Sequence, residues 1–450
     1  MIKNLRKNLW FISAFTAKYK YLIIVGVVLS AVLGLVLNKV QKILPGLSNK
    51  DVHIGLVGQH SVTNLPTQIT RFLNSGLTTL GPQQSTVLNL AESQTIDDSD
   101  KTYTYKLRPG LTWSDGTEIE TQDINISIPK VALETPDSQT IKFILPAKFA
   151  PFPSILNFPI TNQEGLLPSP YEIKLKQKSS GILSQVTIDN GNYKTFINIY
   201  PTSSQAFTAY RLGQIDAVVG LPLSNISQDI DSFGVVDTFK DEQKLVLLVL
   251  NHKDLNLSNK SVRQGLAYSL GLDQAPNQKA LSIISPSSWV YNPLVKEYLP
   301  NSQRAGELIS SDLELELSTT PELLSVAEEI KSSINIPNLK INIKVVGSTP
   351  ENFQLFLTTF SIPADPDQYP FWHSTQSGNI GGSTSEKLDK LLEDGRTNLG
   401  ETDRKTIYHE FQRAFAEELP AIVLFHPQHI NLSRNRKISD IINTYWSNQH

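Results

Sequence analysis

The sequence predicts an α/β protein that is built from more than one domain. Its 450 residues exceed what one hydrophobic core usually organises, so two to three domains are expected. In the second half, Leu313, Leu315 and Leu317 alternate with glutamates, which is typical of a half-buried strand. An amphipathic helix and another alternating strand follow. This βαβ order predicts a parallel sheet with a right-handed crossover.

The βαβ segment contains its own start and stop signals. Thr320 is a suitable N-cap, and Pro321 fits the first helical position. One apolar stripe then recurs at helical spacing: Leu323, Val326, Ala327, Ile330 and Ile334. The second strand is predicted from the alternation of Ile341, Ile343 and Val345 with polar residues.

Further elements follow from periodicity and turn chemistry. Tyr103, Tyr105 and Leu107 predict a half-buried strand, and Asp115-Gly116 predicts a tight turn beyond it. The alternating isoleucines at 124, 126 and 128 also favour a strand, which Pro129 ends. Strands are predicted at 52–56, 140–145, 215–219, 245–250 and 421–425, helices at 65–80 and 261–270, a capping box at 383–386, and a helix that ends at Pro420.

Composition excludes several functional classes. Lys and Arg number 40 against 43 Asp and Glu, so the net charge is −3 and no basic field favours nucleic acid. Cysteine is absent, which excludes disulfides, thiolate metal sites, cysteine nucleophiles and a lipid-modified cysteine anchor. No phosphate loop or nucleophile elbow is present. We expect no cofactor and no catalytic residue.

An uncharged apolar run at residues 22–37 predicts a membrane anchor. Lysines flank it on both sides, and basic residues are denser upstream, so the N-terminus should remain cytoplasmic. The predicted division is a cytoplasmic tail at 1–20, an anchor at 21–40 and a linker at 41–50. A cleaved signal peptide is the alternative, although no small-x-small cleavage site follows Leu37.

Several motifs resemble one known family. The strings YKLRPGLTWSDG (105–116) and TQDI (121–124) closely resemble a signature of the family 5 extracellular solute-binding proteins, the oligopeptide, dipeptide and nickel receptors of bacterial ABC importers. PSPYEIKL (168–175), AYRLGQIDAV (209–218) and SVRQGLAYSL (261–270) resemble later family segments in the same order. Two departures are the missing glycines before Pro170 and the short segment that follows Asp123.

The resemblance implies a type II periplasmic-binding-protein-like fold, with two α/β lobes, central mixed sheets and a ligand cleft between the lobes. The implied divisions are lobe 1 at 51–248, with a reduced subdomain at about 80–165, lobe 2 at 249–426 and a return segment at 427–450. By the same resemblance, the protein captures a peptide or similar small oligomeric solute outside the membrane and delivers it to ABC permease subunits. It would be a monomer, held to the cell membrane by a single span.

The candidate ligand site is the loop ADPDQYPFWHSTQSGNIGG at 364–382, which resembles the family loop that lines the cleft. The resemblance and the donor, acceptor and aromatic character of its side chains select six ligand-binding residues: Asp365, Asp367, Tyr369, Trp372, Ser374 and Asn379. Peptide-binding relatives commonly carry an aspartate for the ligand's amine three residues before the Asp-Pro pair. Here that position is Ile362, which weakens the case for recognition of a free amine.

Three alternatives remain at this stage. A membrane-tethered sensor or scaffold with a degenerate solute-binding fold is favoured by the pared-down subdomain. A hydrolase would use Asp365, Asp367 and His373, but loop carboxylates are more often turn formers. A nickel site at His426 and His429 is disfavoured because Pro427 lies between them and no carboxylate helper is nearby.

Overall fold

The computed structural model describes residues 51–61, 69, 73, 75–169, 172–189, 194–222, 230–272 and 279–446. The predicted cytoplasmic tail, anchor and linker at 1–50 lie outside these residues. Among the helices of the described residues, none combines the length and apolar character that a membrane crossing needs. Half of the residues of the helix expected at 65–80 also lie outside the description, and its expected end is wrong because residues 78–80 form a strand.

The strands of the described residues are β1 (Asp51–Val57), β2 (Thr78–Leu80), β3 (Thr86–Leu88), β4 (Ala91–Ile96), β5 (Thr102–Leu107), β6 (Ala132–Asp137), β7 (Thr140–Ile144), β8 (Glu172–Gln177), β9 (Leu183–Asp189), β10 (Lys194–Tyr200), β11 (Ala217–Pro222), β12 (Val235–Lys240), β13 (Lys244–Leu250), β14 (Leu313–Thr319), β15 (Leu339–Val345), β16 (Leu355–Ser361), β17 (Ala421–Phe425) and β18 (Gln428–Ser433).

The α-helices of the same residues are α1 (Phe152–Ile155), α2 (Ser203–Arg211), α3 (Lys260–Ser269), α4 (Ser302–Leu308), α5 (Leu324–Ser333), α6 (Tyr369–Trp372), α7 (Glu386–Thr397), α8 (Glu401–Glu418) and α9 (Arg436–Trp446). Short 3₁₀ turns lie at Pro82–Gln84, Thr121–Asp123, Ile230–Phe233 and Pro321–Leu323.

Two mixed sheets form the centres of two lobes. The first sheet has the order β12-β18-β11-β1-β10-β9-β8, in which β1 runs parallel to both β10 and β11. The second has the order β15-β14-β16-β13-β17, in which β14 runs parallel to β15 and β16. The predicted βαβ unit is therefore confirmed, with Leu313 opposite Leu339.

β13 shows why an uninterrupted apolar strand belongs in the middle of a sheet. It pairs with β16 on one side and β17 on the other. Val246, Leu248 and Leu250 pack into one core of lobe 2, and the alternate residues, including Leu247, pack into the other. Both faces are covered, as the sequence predicts. The second sheet already includes Lys244, whereas the expected lobe boundary is 248/249.

A separate four-stranded antiparallel sheet, with the order β4-β5-β7-β6, forms a subdomain between β1 and β8 in the sequence. Tyr103, Tyr105 and Leu107 face its core as predicted. The turn at Asp115-Gly116 is also confirmed, since Gly116 has a φ of +89°, a value that favours glycine. The strand expected at 124–128 is wrong, because this segment makes only an isolated bridge from Asn125 to Thr161.

Two helix caps differ from expectation. Pro321 begins a 3₁₀ turn, Thr320 makes no side-chain cap, and α5 starts at Leu324. Ser385, rather than Ser383, caps α7 by accepting a hydrogen bond from the N–H of Leu388 at 3.4 Å.

Candidate ligand site

The two lobes are joined by two chain crossings, which lie at corresponding edges of the sheets. In the first sheet, β11 and β12 both pair antiparallel to β18, so these two strands run in the same direction. In the second sheet, β16 and β17 both pair antiparallel to β13, so they too run in the same direction. The crossings at 241–243 and 426–427 therefore lie at the carboxyl ends of the parallel strands of both sheets. Ligands of open α/β sheets bind at this edge, which places the candidate cleft here.

The crossings are bonded to each other. The N–H of Asp241 donates to the carbonyl of Pro427 at 3.0 Å, and the N–H of Gln243 donates to the Asp241 carboxylate at 3.1 Å. The ammonium of Lys244 lies 3.4 Å from the same carboxylate. The two crossing segments, 241–243 and 426–427, thus form one compact connection between the lobes, which is called the hinge below together with the residues that contact it.

His426 and His429, the residues of the disfavoured nickel site, are parts of this hinge. Nδ1 of His426 lies 2.8 Å from the carbonyl of Lys244, and Nδ1 of His429 lies 3.5 Å from the Asp241 carboxylate. Burial lowers the pKa of His426, and burial followed by the nearby charge of Lys244 lowers the pKa of His429 to about 4. Both rings pack within the hinge and are 6% exposed or less.

The candidate loop follows β16 and begins inside the core of lobe 2. Ile362 is 6% exposed, packs among the apolar residues of lobe 2, and donates its N–H to the carbonyl of Gln243 at 2.8 Å. The position at which peptide-binding relatives commonly carry their amine-binding aspartate is thus occupied by a core residue.

Asp365 forms a buried ion pair with a residue of α8. The guanidinium of Arg404 contacts both carboxylate oxygens of Asp365, at 2.7 and 3.3 Å, and donates a further bond to the carbonyl of Gly395 at 3.0 Å. The N–H of Asp367 donates to the same carboxylate at 3.0 Å. Asp365 therefore fixes the loop to two helices.

Asp367 is held in a second ion pair. Nε of Arg396 on α7 lies 3.1 Å from its carboxylate, which also accepts the N–H of Tyr369 at 3.1 Å. Burial raises the pKa of Asp367, and Arg396 opposes that shift. The Arg396 guanidinium lies 4.2 Å from the Tyr369 ring centroid, and that ring stacks on His373 at 4.1 Å.

Trp372 and Asn379 are buried, and Ser374 is exposed. The Trp372 ring meets Phe415 edge-on at 4.8 Å, and its Nε1–H donates to Gln368 at 3.2 Å. The Asn379 side chain donates to the carbonyl of Ser383 at 2.7 Å and accepts the N–H of that residue at 3.1 Å. The N–H of Ser374 donates to Asp389 at 2.8 Å.

The sequence predicted six ligand-binding residues in the loop but did not reveal Arg396 and Arg404, the arginines that pair with its two aspartates. Arg404 lies on the same face of α8 as Phe411 and Phe415, and is 7% exposed. A charged residue within a predicted apolar stripe is a signal that a buried counter-charge exists elsewhere. No comparable pattern points to Arg396.

Within the described residues, hydrogen bonds join the subdomain to lobe 2 at two places. Nε2 of Gln84 donates to the Ser287 hydroxyl at 2.7 Å, and the N–H of Trp289 donates to the carbonyl of Gln83 at 2.8 Å. Gln83 and Gln84 both have left-handed φ values, 54° and 57°, which are strained for residues with a side chain.

The second contact involves the arginine that pairs with Asp367. The N–H of Ala150 donates to the carbonyl of Arg396 at 2.9 Å, and the Arg396 guanidinium lies 5.0 Å from the Phe149 ring. The candidate loop and the subdomain thus share Arg396 as a bonded partner.

This arrangement, with two sheets, paired crossings and an appended subdomain, defines a two-lobed binding protein. The family model for bacterial extracellular solute-binding proteins, family 5 Middle, matches residues 85–132. Over that stretch the chain is similar to the family 5 extracellular solute-binding proteins.

The similarity to known proteins extends over most of the chain. The chain is 19% identical to the probable D,D-dipeptide-binding periplasmic protein DdpA of Escherichia coli (strain K12), over 79% of this chain and 81% of that protein. The crystal structure of the ABC transporter substrate-binding protein CtaP of Listeria monocytogenes has a TM-score of 0.69 at 19% identity, with coverage of 85% of this chain and 93% of that one. NikZ of Campylobacter jejuni, in complex with Ni(L-His), has a TM-score of 0.67 at 20% identity, with coverage of 86% and 94%.

The contacts of the candidate loop argue against the hydrolase interpretation. Arginines engage both carboxylates, Asp365 and Asp367, that a hydrolase would use. The proteins similar to this chain are named as binding proteins.

Proposed function

We propose that this protein binds short peptides on the extracytoplasmic side of the membrane and delivers them to the permease of an ABC importer. The observation that carries the proposal is the pair of hinge crossings at the carboxyl edges of both sheets, because this geometry lets the lobes close around a solute. The E. coli relative is named as a probable D,D-dipeptide-binding protein, which favours a peptide.

A nickel complex is the other solute that the relatives suggest, since the NikZ structure holds Ni(L-His). Within the residues that the structure describes, no group of three or more His, Asp or Glu side chains could hold a metal ion. His426 and His429 are buried in the hinge, where Nδ1 of His426 lies against the carbonyl of Lys244 and Nδ1 of His429 faces the Asp241 carboxylate. The peptide is therefore the better-supported solute.

The six loop residues divide into two proposed roles. The hydroxyl of Ser374 is exposed and the Tyr369 ring is half-buried, so we propose that these two contact the ligand directly. Asp365, Asp367 and Asn379 use their polar groups within lobe 2, and Trp372 packs in its core. We propose that these four position the loop.

These contacts have a consequence for the peptide's amino terminus. Both carboxylates in residues 362–382 are paired with arginines, and Ile362 is a core residue. We infer that this loop does not hold the ligand's ammonium group. The peptide is then recognised through its backbone and side chains, and a blocked amino terminus is tolerated.

Isothermal titration of the full-length protein with mixed di- to pentapeptides tests both statements. We expect saturable binding and a change of less than threefold on N-acetylation of a bound peptide. A charged hydrogen bond to the amine is worth ~1.5–3 kcal/mol, so a loss of roughly tenfold or more on acetylation would overturn the inference about the amine. If no peptide binds, the proposal of peptide import is wrong. Binding of Ni(II) with histidine would then indicate a metal receptor, and binding of no solute would indicate a sensor or scaffold.

We also propose that residues 21–40 anchor the protein as a single span, with the lobes outside. The apolar run at 22–37 and its flanking lysines support this proposal. Mass spectrometry of the protein from membranes should find the intact chain of 50.1 kDa. A mature chain that lacks the run, released without detergent, would instead support the cleaved signal peptide.

A further inference from the structure

Lobe 2 contains a cavity that is separate from the candidate ligand loop. It has a volume of about 330 Å³ and lies between α3, α8, β17 and the segments 279–283 and 296–300. None of the six loop residues lines it. The Phe415 ring forms part of its wall and also packs edge-on against Trp372, so one layer of side chains separates the cavity from the loop.

The interior of the cavity is apolar because its polar side chains are already paired. The Ser282 hydroxyl donates to Oε1 of Gln412 at 2.8 Å, and Nε2 of Gln412 donates to the carbonyl of Val290 at 2.8 Å. The remaining wall is mainly aliphatic, as Leu270 and Ile422 exemplify. A ligand group that enters this space must therefore be apolar, since a polar group would lose its hydration without a partner.

The mouth of the cavity carries an excess positive charge. Lys279 and Glu297 form an ion pair there and neutralise each other. Lys296 also lines the cavity, and no carboxylate of the described residues lies within ion-pair distance of its ammonium group. That ammonium lies 4.5 Å from the Tyr298 ring centroid and 5.8 Å from that of Tyr268. The aromatic rings hold the charge at the rim, where it can meet an anion.

We propose that this cavity binds a straight-chain carboxylate of medium length, with the hydrocarbon chain inside and the carboxylate at Lys296. The charge at the rim selects an anionic head group, and the paired polar groups of the wall select an apolar tail. The volume lies near the lower end of the range for small-molecule sites, ~300–1,000 Å³, which fits one alkyl chain and excludes a two-chain lipid.

A homologous series measures chain burial directly. Hexanoate, octanoate and decanoate are titrated into the full-length protein by calorimetry, below their micellar concentrations. Each buried methylene should tighten binding about fourfold, until the chain outgrows the cavity and the gain stops. Affinity that does not change with chain length would overturn the proposal, as would a gain that continues unchecked through hexadecanoate, because the latter indicates partition onto a surface.

Two variants test the head group and the cavity separately. Lys296→Glu should weaken decanoate binding at least tenfold, whereas the control Lys340→Glu, on the exposed side of β15, should leave it unchanged. Ala416→Phe fills the cavity from α8 and should abolish binding. Equal effects of the two lysine variants, or decan-1-ol binding as tightly as decanoate, would overturn the role of Lys296.

The proposal does not depend on the proposed transport of peptides. Saturating peptide should leave the affinity for decanoate unchanged, and decanoate should bind even if no peptide does. Displacement of decanoate by peptide would overturn the separate site, because it would place the chain in the cleft between the lobes.

Discussion

Replacing Asp365 by alanine tests whether this residue holds the loop or contacts the ligand. In the folded protein, two of the three hydrogen bonds that Arg404 makes with the loop and α7 go to Asp365, and Arg404 is 7% exposed. Asp365→Ala would leave a buried guanidinium without its counter-charge. Removal of one partner from a buried pair costs ~3–5 kcal/mol, so we expect a loss of that size in the free energy of unfolding.

Urea unfolding followed by tryptophan fluorescence measures this loss, since Trp289 and Trp372 both lie in lobe 2. The double variant Asp365→Ala/Arg404→Met should recover much of the stability, because no buried charge is then unpaired. Glu307→Ala, which breaks the exposed pair with Arg304, serves as the control and should change nothing measurable. If Asp365→Ala costs less than ~1 kcal/mol and yet weakens peptide binding more than tenfold, the structural role assigned here is wrong.

Three further predictions concern pH, backbone strain and helix packing. Burial holds the pKa of His429 at about 4 in the folded state against 6.5 for an ordinary histidine, so stability is fully present above pH 6.5 and lost as the pH falls toward 4. The contribution to the free energy of unfolding is at most about 3 kcal/mol. His429→Gln should make the urea midpoint depend less on pH between pH 7 and pH 4.5, and an unchanged pH dependence would contradict the prediction. Lys130 is exposed with a φ of 65°, so Lys130→Gly should stabilise the protein by ~0.5–1 kcal/mol, and a lower melting temperature would refute the strain argument. Gly395→Ala, which normally favours a helix, should instead cost ~1–3 kcal/mol in urea unfolding because the new methyl group would lie 2.7 Å from the Tyr408 ring, and a gain in stability would contradict this.

Most of the fold could be predicted from the sequence because its strands have clear periodicity. Leu313–Thr319 alternates apolar and polar side chains, so one face of the strand is apolar, whereas Lys244–Leu250 is apolar on both faces. Each strand takes the position in its sheet that its pattern predicts. The isoleucines at 124–128 show the limit of this reasoning, because alternation specifies an extended chain but not a partner strand. Whether an extended segment pairs depends on which strands the rest of the fold places beside it. In the described residues this segment pairs only through the bridge from Asn125 to Thr161.

The candidate loop is a prediction from sequence, and the sequence did not reveal the contacts that its side chains make. Asp365 and Asp367 look like ligand groups when they are read within the loop alone. Their partners, Arg404 and Arg396, lie on helices that follow the loop, and only tertiary packing brings them within hydrogen-bond distance. A local motif therefore predicts a ligand loop but does not reveal which of its charges are already neutralised.

The position of β18 determines the order in which the protein can be completed during synthesis. β18 lies between β12 and β11 within the first sheet, yet the ribosome produces it almost two hundred residues after β12. Throughout that interval, β11 and β12 present unpaired backbone edges, while the whole of lobe 2 is translated and can fold without interruption. Nascent chains that carry lobe 1 strands but lack β18 are thus exposed to edge-to-edge aggregation. The nascent protein should accordingly depend on chaperones until its last strand is released.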